Sequence, residues 1–281
     1  MITKRTILSI ERNKTLALCT LAIILVTAFY TYRSGIGWIV WKYFHTAPVA
    51  TVLNPNDAEL QFEIGNYYFG GGLPAAPWRS AQAGAYDIEK AQSYFEKALE
   101  INPDIQGAHY QLGRTYFIQS GFADALREIN KEIELHPDFK RSYYMRGLIY
   151  GYTKHYAEAE SDFKEFLKWK PESWAGHNDL AWIYFQEGKY KETTETAREG
   201  LKIVPDNPWL LNSLGVALLN TGEKNEAKET FAKTLAILDS MSPKDWGMAY
   251  PGNNPQIYGE GLSKMKQFIQ DNLKLLSVVN N

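Results

Sequence analysis

The sequence is poor in cysteine. Cys19 is the one thiol in 281 residues, so no disulfide can form within the chain, and cysteine usage does not reveal the redox compartment. A dominant charge is missing too. The formal net charge of −2 leaves no global basic field to gather nucleic acid. The histidines, His45, His109, His136, His155 and His177, stand at no metal-ligand spacing to one another, to Cys19 or to a carboxylate, which argues against a metal site. No nucleophile elbow, Walker loop or dinucleotide fingerprint occurs. Gly70-Gly71-Gly72 lacks the Lys-Ser/Thr that would cradle a phosphate. Glu195 and Glu199 lie at i, i+4 in a highly charged stretch and read as a solvated face. These absences set the expectation of a chain that is not an enzyme and needs no cofactor.

Apolar residues and aromatics are plentiful. Apolar types make up 45% of the chain and aromatics 14%, with 18 Tyr and 8 Trp. One apolar block stands apart. Thr15 to Tyr32 is 18 residues without a charge, about 27 Å of helix at about 1.5 Å per residue, which matches the hydrocarbon core of a bilayer. Arg33 follows, then a second apolar stretch from Ser34 to Trp41. Tyr30, Tyr32, Trp38, Trp41 and Tyr43 suit an interfacial aromatic belt. The text after Ala28 makes a poor cleavage site, so an uncleaved anchor is expected. Leu18 and the early position of Cys19 depart from a lipid-attachment box. Lys4, Arg5, Arg12 and Lys14 precede the block, while Arg33 and Lys42 follow it. That bias puts residues 1–14 in the cytoplasm and the bulk of the chain outside it. The reading is a single-pass membrane protein: a transmembrane helix and interfacial segment over 15–44, then a linker over 45–57.

Beyond the linker the sequence repeats. Pro103, Pro137, Pro171 and Pro205 are each 34 residues apart. So are Gly113, Gly147, Ala181 and Gly215; Ala125, Ala159, Thr193 and Ala227; and Tyr116, Tyr150, Tyr184 and Leu218. Four independent position classes on one period define a repeat array. Small residues in a first helix let a second approach, an aromatic fills the wedge, and Pro ends the second helix. One pair cannot bury its apolar face alone, so the pairs must stack.

These residues resemble the tetratricopeptide (TPR) repeat, whose unit is 34 residues. The matches read Leu112-Gly113, Tyr116, Ala125, Ile129 and Pro137, then Gly147, Tyr150, Ala159, Phe163 and Pro171. They continue with Leu180-Ala181, Tyr184, Gly188, Tyr190, Ala197 and Pro205, and with Leu214-Gly215, Gly222, Ala227 and Phe231. The resemblance covers about 58–239 and implies an all-α fold, an α-solenoid of about five helix pairs. Its units are 58–105, 106–139, 140–173, 174–207 and 208–239. Arg146 departs from the usual Leu, Glu132 from an Ala, and Thr193 and Gly200 from two more. The first unit carries 14 extra residues near 70–86, where Gly and Pro exclude a regular element. Trp78 and Arg79 are the residues that could make this insert a ligand contact rather than a tolerated loop. In 240–281 a turn-rich stretch precedes a helix over 260–279, with Leu262, Met265, Ile269, Leu273 and Leu276 on one side. That helix is expected to cap the array.

The resemblance also implies where a partner would sit. First helices line the concave groove, and the matching positions hold Phe62, Asn66 and Phe69, then Tyr110, Arg114 and Phe117. Arg141, Tyr144 and Tyr152 follow, then Asn178, Trp182 and Phe185, then Trp209 and Asn212. Tyr, Trp and Arg are what interface hot spots favour, and the Asn178 amide could meet an extended peptide backbone. The competing reading has about half of these side chains packing between helices. Of a Lys/Asn/Lys/Arg carboxylate clamp only Asn66 and Arg141 match. The expectation is a membrane-anchored scaffold that binds other proteins or peptides, with no nucleic acid and no metal. A groove for cell-envelope polysaccharide or peptidoglycan is the alternative.

Overall fold

A computed structural model describes residues 20–23, 27, 32, 35–70, 86–248 and 258–278. The described residues form helices and no strands. Residues 35–44 are helical and lead into α1 (Ala47–Leu53), so much of the expected linker is a short helix. Five pairs follow: α2 (Ala58–Tyr68) with α3 (Ile88–Ile101), α4 (Ala108–Ile118) with α5 (Phe122–Leu135), α6 (Arg141–Tyr152) with α7 (Tyr156–Trp169), α8 (Trp174–Gln186) with α9 (Tyr190–Ile203), and α10 (Pro208–Thr221) with α11 (Lys224–Ser240). A short α12 (Pro243–Met248) and a long α13 (Tyr258–Val278) close the array.

The starts of these helices are written into the sequence. Asp57, Asp87, Ser173 and Asn207 each accept a hydrogen bond from the first turn that follows them, which satisfies donors that a helix cannot satisfy itself. Pro208 at the first position of α10 loses no hydrogen bond there.

The turns inside the pairs repeat as strictly as the helices. Ser120, Lys154, Gly188 and Gly222 all have positive φ, between 62° and 88°, and they lie 34 residues apart. After each, the next N–H bonds back to a carbonyl of the last helical turn: Gly121 to Tyr116, His155 to Tyr150, Lys189 to Tyr184 and Glu223 to Leu218, at 2.8–2.9 Å. This is the left-handed helix stop that glycine adopts most cheaply. Ser120 and Lys154 adopt it with a side chain, at an expense of about 1 kcal/mol each.

Packing within pairs follows the small-against-large pattern. A Cβ added to Gly65 would stand 2.6 Å from Phe95, and one on Gly215 would stand 2.6 Å from Phe231. Gly113 faces Ile129 and Gly147 faces Phe163 in the same way. Phe95, Ile129, Phe163 and Phe231 are fully buried. At the C-terminal end Leu262, Ile269 and Leu276 of α13 bury against Leu238 and the last pair, which supplies the cap that a stack of pairs requires.

Two departures from the repeat have structural reasons. Glu132, fully buried on α5, accepts the backbone N–H groups of Gly107 and Tyr110 at 2.8 and 3.2 Å. It therefore caps α4 from a different helix, at a start where Gly107 offers no side chain. Arg146 on α6 grips Asp162 of α7 through two bonds, 2.7 Å and 2.8 Å, and reaches Asn130 of α5 at 3.0 Å. A polar clamp replaces the apolar contact that leucine would make.

The N-terminal expectations divide. The block 15–32 lies mostly outside the described residues, and among the described residues no helix is long and apolar enough to cross a membrane. The aromatic belt needs correction at two positions. Trp41 is 6% exposed and packs with Ala47, Ala50, Leu60 and Ile64. Trp38 donates its Nε1 hydrogen to Asp57 Oδ2 at 2.8 Å. Both rings face the repeat array. Tyr32 and Tyr43 remain exposed.

Candidate partner-binding groove

The first helices α2, α4, α6, α8 and α10 carry the positions singled out by the repeat, and the structure sorts them into three groups. The first group faces inward. Phe62 packs on Phe95, and Tyr110 meets Phe139 edge-on at 5.2 Å. Both are 8% exposed. Asn66, 1% exposed, accepts a hydrogen bond from the buried Gln111 amide. These three cannot line a surface. An aromatic ring gains more from a dry gap between helices than from a wet groove, and a buried amide needs the partner Gln111 provides.

The second group links neighbouring pairs. Asn66 and Gln111 join α2 to α4, and Gln111 Oε1 accepts from Arg114 at 2.8 Å. The Tyr144 hydroxyl donates to Asp179, joining α6 to α8. Asn178 donates to the other oxygen of Asp179 and accepts from Ser213 of α10, each at 3.1 Å. The Asn178 amide, expected to meet a peptide backbone, is thus spent within the protein. Polar rungs along the first helices hold their spacing. Arg114 lies 4.3 Å over the Phe69 ring and 5.7 Å from that of Tyr110. Burial, and after it the nearby charge of Arg141, lowers its pKa.

The third group stays open. Tyr152, at the end of α6, is 57% exposed. Phe117 stands edge-on to it at 5.3 Å, Phe122 stacks at 6.0 Å and Trp182 tilts against it at 5.4 Å. Four rings from α4, α5, α6 and α8 form one shelf. Gly151 makes room for it, since a Cβ there would stand 2.5 Å from Trp182. Asp179 lies one turn from Trp182 and close enough to Tyr152 to raise its phenol pKa further, after burial. Burial pushes the Asp179 carboxyl up to about 6, against the hydrogen bonds from Tyr144 and Asn178 that pull it down. No cation pairs with it among the described residues. Arg141 is half-buried at the start of α6. Asn212 Oδ1 has no hydrogen-bond partner.

The remaining positions sit at the edges. Phe185 packs against Tyr190 of its own pair. Trp209 lies between Trp174 and Trp246, at 5.4 and 4.9 Å, and so ties α12 to the starts of α8 and α10. Trp78 and Arg79 lie outside the described residues. Asp179 was not among the residues the repeat pattern marked. Its signal was a lone carboxylate at a unit position that holds Gln111, Met145 and Ser213 elsewhere.

The tetratricopeptide repeat model matches residues 87–105 and 140–173. No curated protein matches the chain significantly. Solved structures resemble it in fold. A MamA fragment from Desulfovibrio magneticus RS-1 is 17% identical with a TM-score of 0.56, covering 66% of this chain and 97% of its own. PilF of Pseudomonas aeruginosa is 17% identical with a TM-score of 0.55, covering 80% and 90%. YrrB, described as a TPR protein with an unusual peptide-binding site, is 16% identical with a TM-score of 0.53, covering 68% and 91%. The described array is a tetratricopeptide-repeat solenoid, and the chain is a TPR repeat protein.

Proposed function

We propose that the chain is a membrane-tethered scaffold whose groove holds an extended segment of a partner protein and performs no reaction of its own. The observation that carries this is the open shelf of Tyr152, Phe117, Phe122 and Trp182 with Asp179 beneath it. Rings backed by fixed neighbours offer a partner contact area with little ordering to repay. A half-buried carboxylate without a cation favours a lysine or arginine of the partner, which would pair with Asp179 while its stem lies on the rings. Arg141, one unit position from the N-terminus of α6, suits an acidic group further along the same segment. That YrrB is described as peptide-binding agrees with this use of the fold.

The test separates the shelf from the core. Tyr152→Ala removes a mostly exposed ring, so melting should shift by no more than about 0.5 kcal/mol in stability. Capture of the partner that copurifies from the native membrane should fall about thirtyfold, as for a hot spot worth about 2 kcal/mol. Undiminished capture by the Tyr152→Ala protein would remove the shelf from the site. Copurification of a glycan in place of a protein would favour the envelope-polysaccharide alternative.

The tether and its direction rest on the uncharged block 15–32 and on the excess of Lys and Arg before it. Alkaline phosphatase fused after Asn281 should be active. Fluorescence of a green fluorescent protein at the same place after Sec-dependent insertion would reverse the orientation.

A further inference from the structure

Residues 35–53 form two short helices joined at His45, which turns the chain with a φ of 50°. One side of this hairpin is committed to the array. Gly37 and Trp41 are buried, as are Ala47 and Ala50. Trp41 stands edge-on to Tyr67 at 5.2 Å, and the His45 ring stacks on Tyr67 at 5.0 Å. Asp57 locks the arrangement. One of its oxygens caps α2 through the Leu60 N–H, and the other accepts from Trp38 Nε1 and from the Asn54 amide at 3.0 Å. A Cβ on Gly37 would stand 2.4 Å from Asn54, so the hairpin is pressed against the turn that starts the array.

The other side has nothing on it. Ile36, Ile39, Tyr43, Phe44, Val49 and Val52 are 39–77% exposed. The spacing of 36, 39 and 43, and of 49 and 52, puts each set on one helix face. Scattered apolar residues on a surface need no partner, but a contiguous apolar face does. The charge pattern says which partner. From Arg12 to Asn56 the chain contains no Asp or Glu, while Arg12, Lys14, Arg33 and Lys42 are all basic. Lys42 is exposed beside Tyr43. A protein partner gives no reason to exclude every acid across 45 residues. A bilayer with anionic headgroups does. The face also continues directly from the uncharged block 15–32.

We propose that the outer face of the 35–53 hairpin docks on the lipid headgroup region, with Ile39, Tyr43 and Val52 in the acyl boundary, and that Trp38, Trp41 and Asp57 then hold the repeat array at a fixed tilt to the membrane. This rests on the membrane-tether reading and adds which surface meets the lipid. It reverses the sequence expectation for the two tryptophans, which serve the mount and not the belt.

The test uses the full chain with Cys19→Ala, reconstituted in phosphatidylcholine–phosphatidylglycerol vesicles. Single cysteines replace Ile39, Val52 or, as a control on the exposed side of α9, Glu195, and each carries an environment-sensitive fluorophore. Nitroxide-labelled lipid should quench positions 39 and 52 at least about twofold and leave 195 unquenched. Vesicle-bound protein with no quenching at 39 and 52 overturns the docking surface and leaves the tether standing. Blue-shifted emission at 39 and 52 without lipid quenching means that protein, such as a second copy, covers the face, and also overturns it. Failure of the chain to float with the vesicles defeats the tether and the docking surface together.

Discussion

Replacing Glu132 by alanine is expected to destabilise the array by about 2–4 kcal/mol, read as a lower urea midpoint at unchanged slope. The substitution would restore the small residue that the repeat normally carries at this place, so a reading from the repeat alone expects a gain. The structure reverses the sign. Glu132 is fully buried and holds the N–H groups of Gly107 and Tyr110. Alanine would leave two donors at the start of α4 without an acceptor, each at about 1–3 kcal/mol. It would also remove an anion from the positive end of a helix dipole. His136 Nδ1 lies 3.0 Å from the same carboxylate, but its alignment is too poor for a hydrogen bond. Glu132→Gln keeps one acceptor oxygen and should lose only about 1 kcal/mol. An unchanged midpoint for Glu132→Ala would show that water or a shifted backbone serves the start of α4 equally well.

The second large effect concerns Arg146. Arg146→Leu also restores the residue common in the repeat, as at Leu180 and Leu214. It should nonetheless weaken the fold by about 2–4 kcal/mol at neutral pH. Asp162 is 5% exposed and would lose a two-pronged partner. The figure falls short of that for a fully buried pair because 22% of the Arg146 side chain stays exposed. Burial already pushes the Asp162 carboxyl above its ordinary 3.8, although Arg146 pulls it down. Without Arg146 it would rise further. A carboxyl with a raised pKa in the fold is penalised when ionised, so the defect should be full above that pKa and shrink as pH falls towards 3.8. The double variant Arg146→Leu with Asp162→Thr imports the pair found as Leu214 and Thr230. It should return to within about 1 kcal/mol of the parent. Additive losses across the cycle would mean that the two residues do not act as a pair.

The repeat period made the five pairs and their contacts legible because close packing admits few residue types. Gly65, Gly113, Gly147 and Gly215 lie where the second helix approaches, and no larger residue fits without moving it. The left-handed turns were legible only where glycine marks them, at Gly188 and Gly222. Ser120 and Lys154 hold the same conformation because the hydrogen bonds around them outweigh its strain. The site was legible by position but not by orientation. A first-helix position can face the groove or the next pair, and a few degrees of helix rotation decide which. So Phe62, Asn66 and Tyr110 went inward while Tyr152 stayed out. Asn178 and Asp179 show the further difficulty that a polar side chain on the concave side finds its partner 35 residues away in the next unit. No local pattern displays such a bond.

One feature of the first pair reaches beyond binding. The hairpin between α2 and α3 departs from the repeat by 14 residues, yet its two ends are stitched together. The Asp87 N–H bonds to the Tyr68 carbonyl at 2.8 Å, and the Tyr68 ring stacks flat on Tyr94 at 5.7 Å. Closing the chain there is therefore done by the stems and not by the segment between them. Doubling the length of a flexible closed segment adds only about 0.6 kcal/mol. The place is accordingly a socket for protein engineering: a fluorescent reporter or an affinity module whose termini lie close together can be plugged in after Gly70 without interrupting the stack.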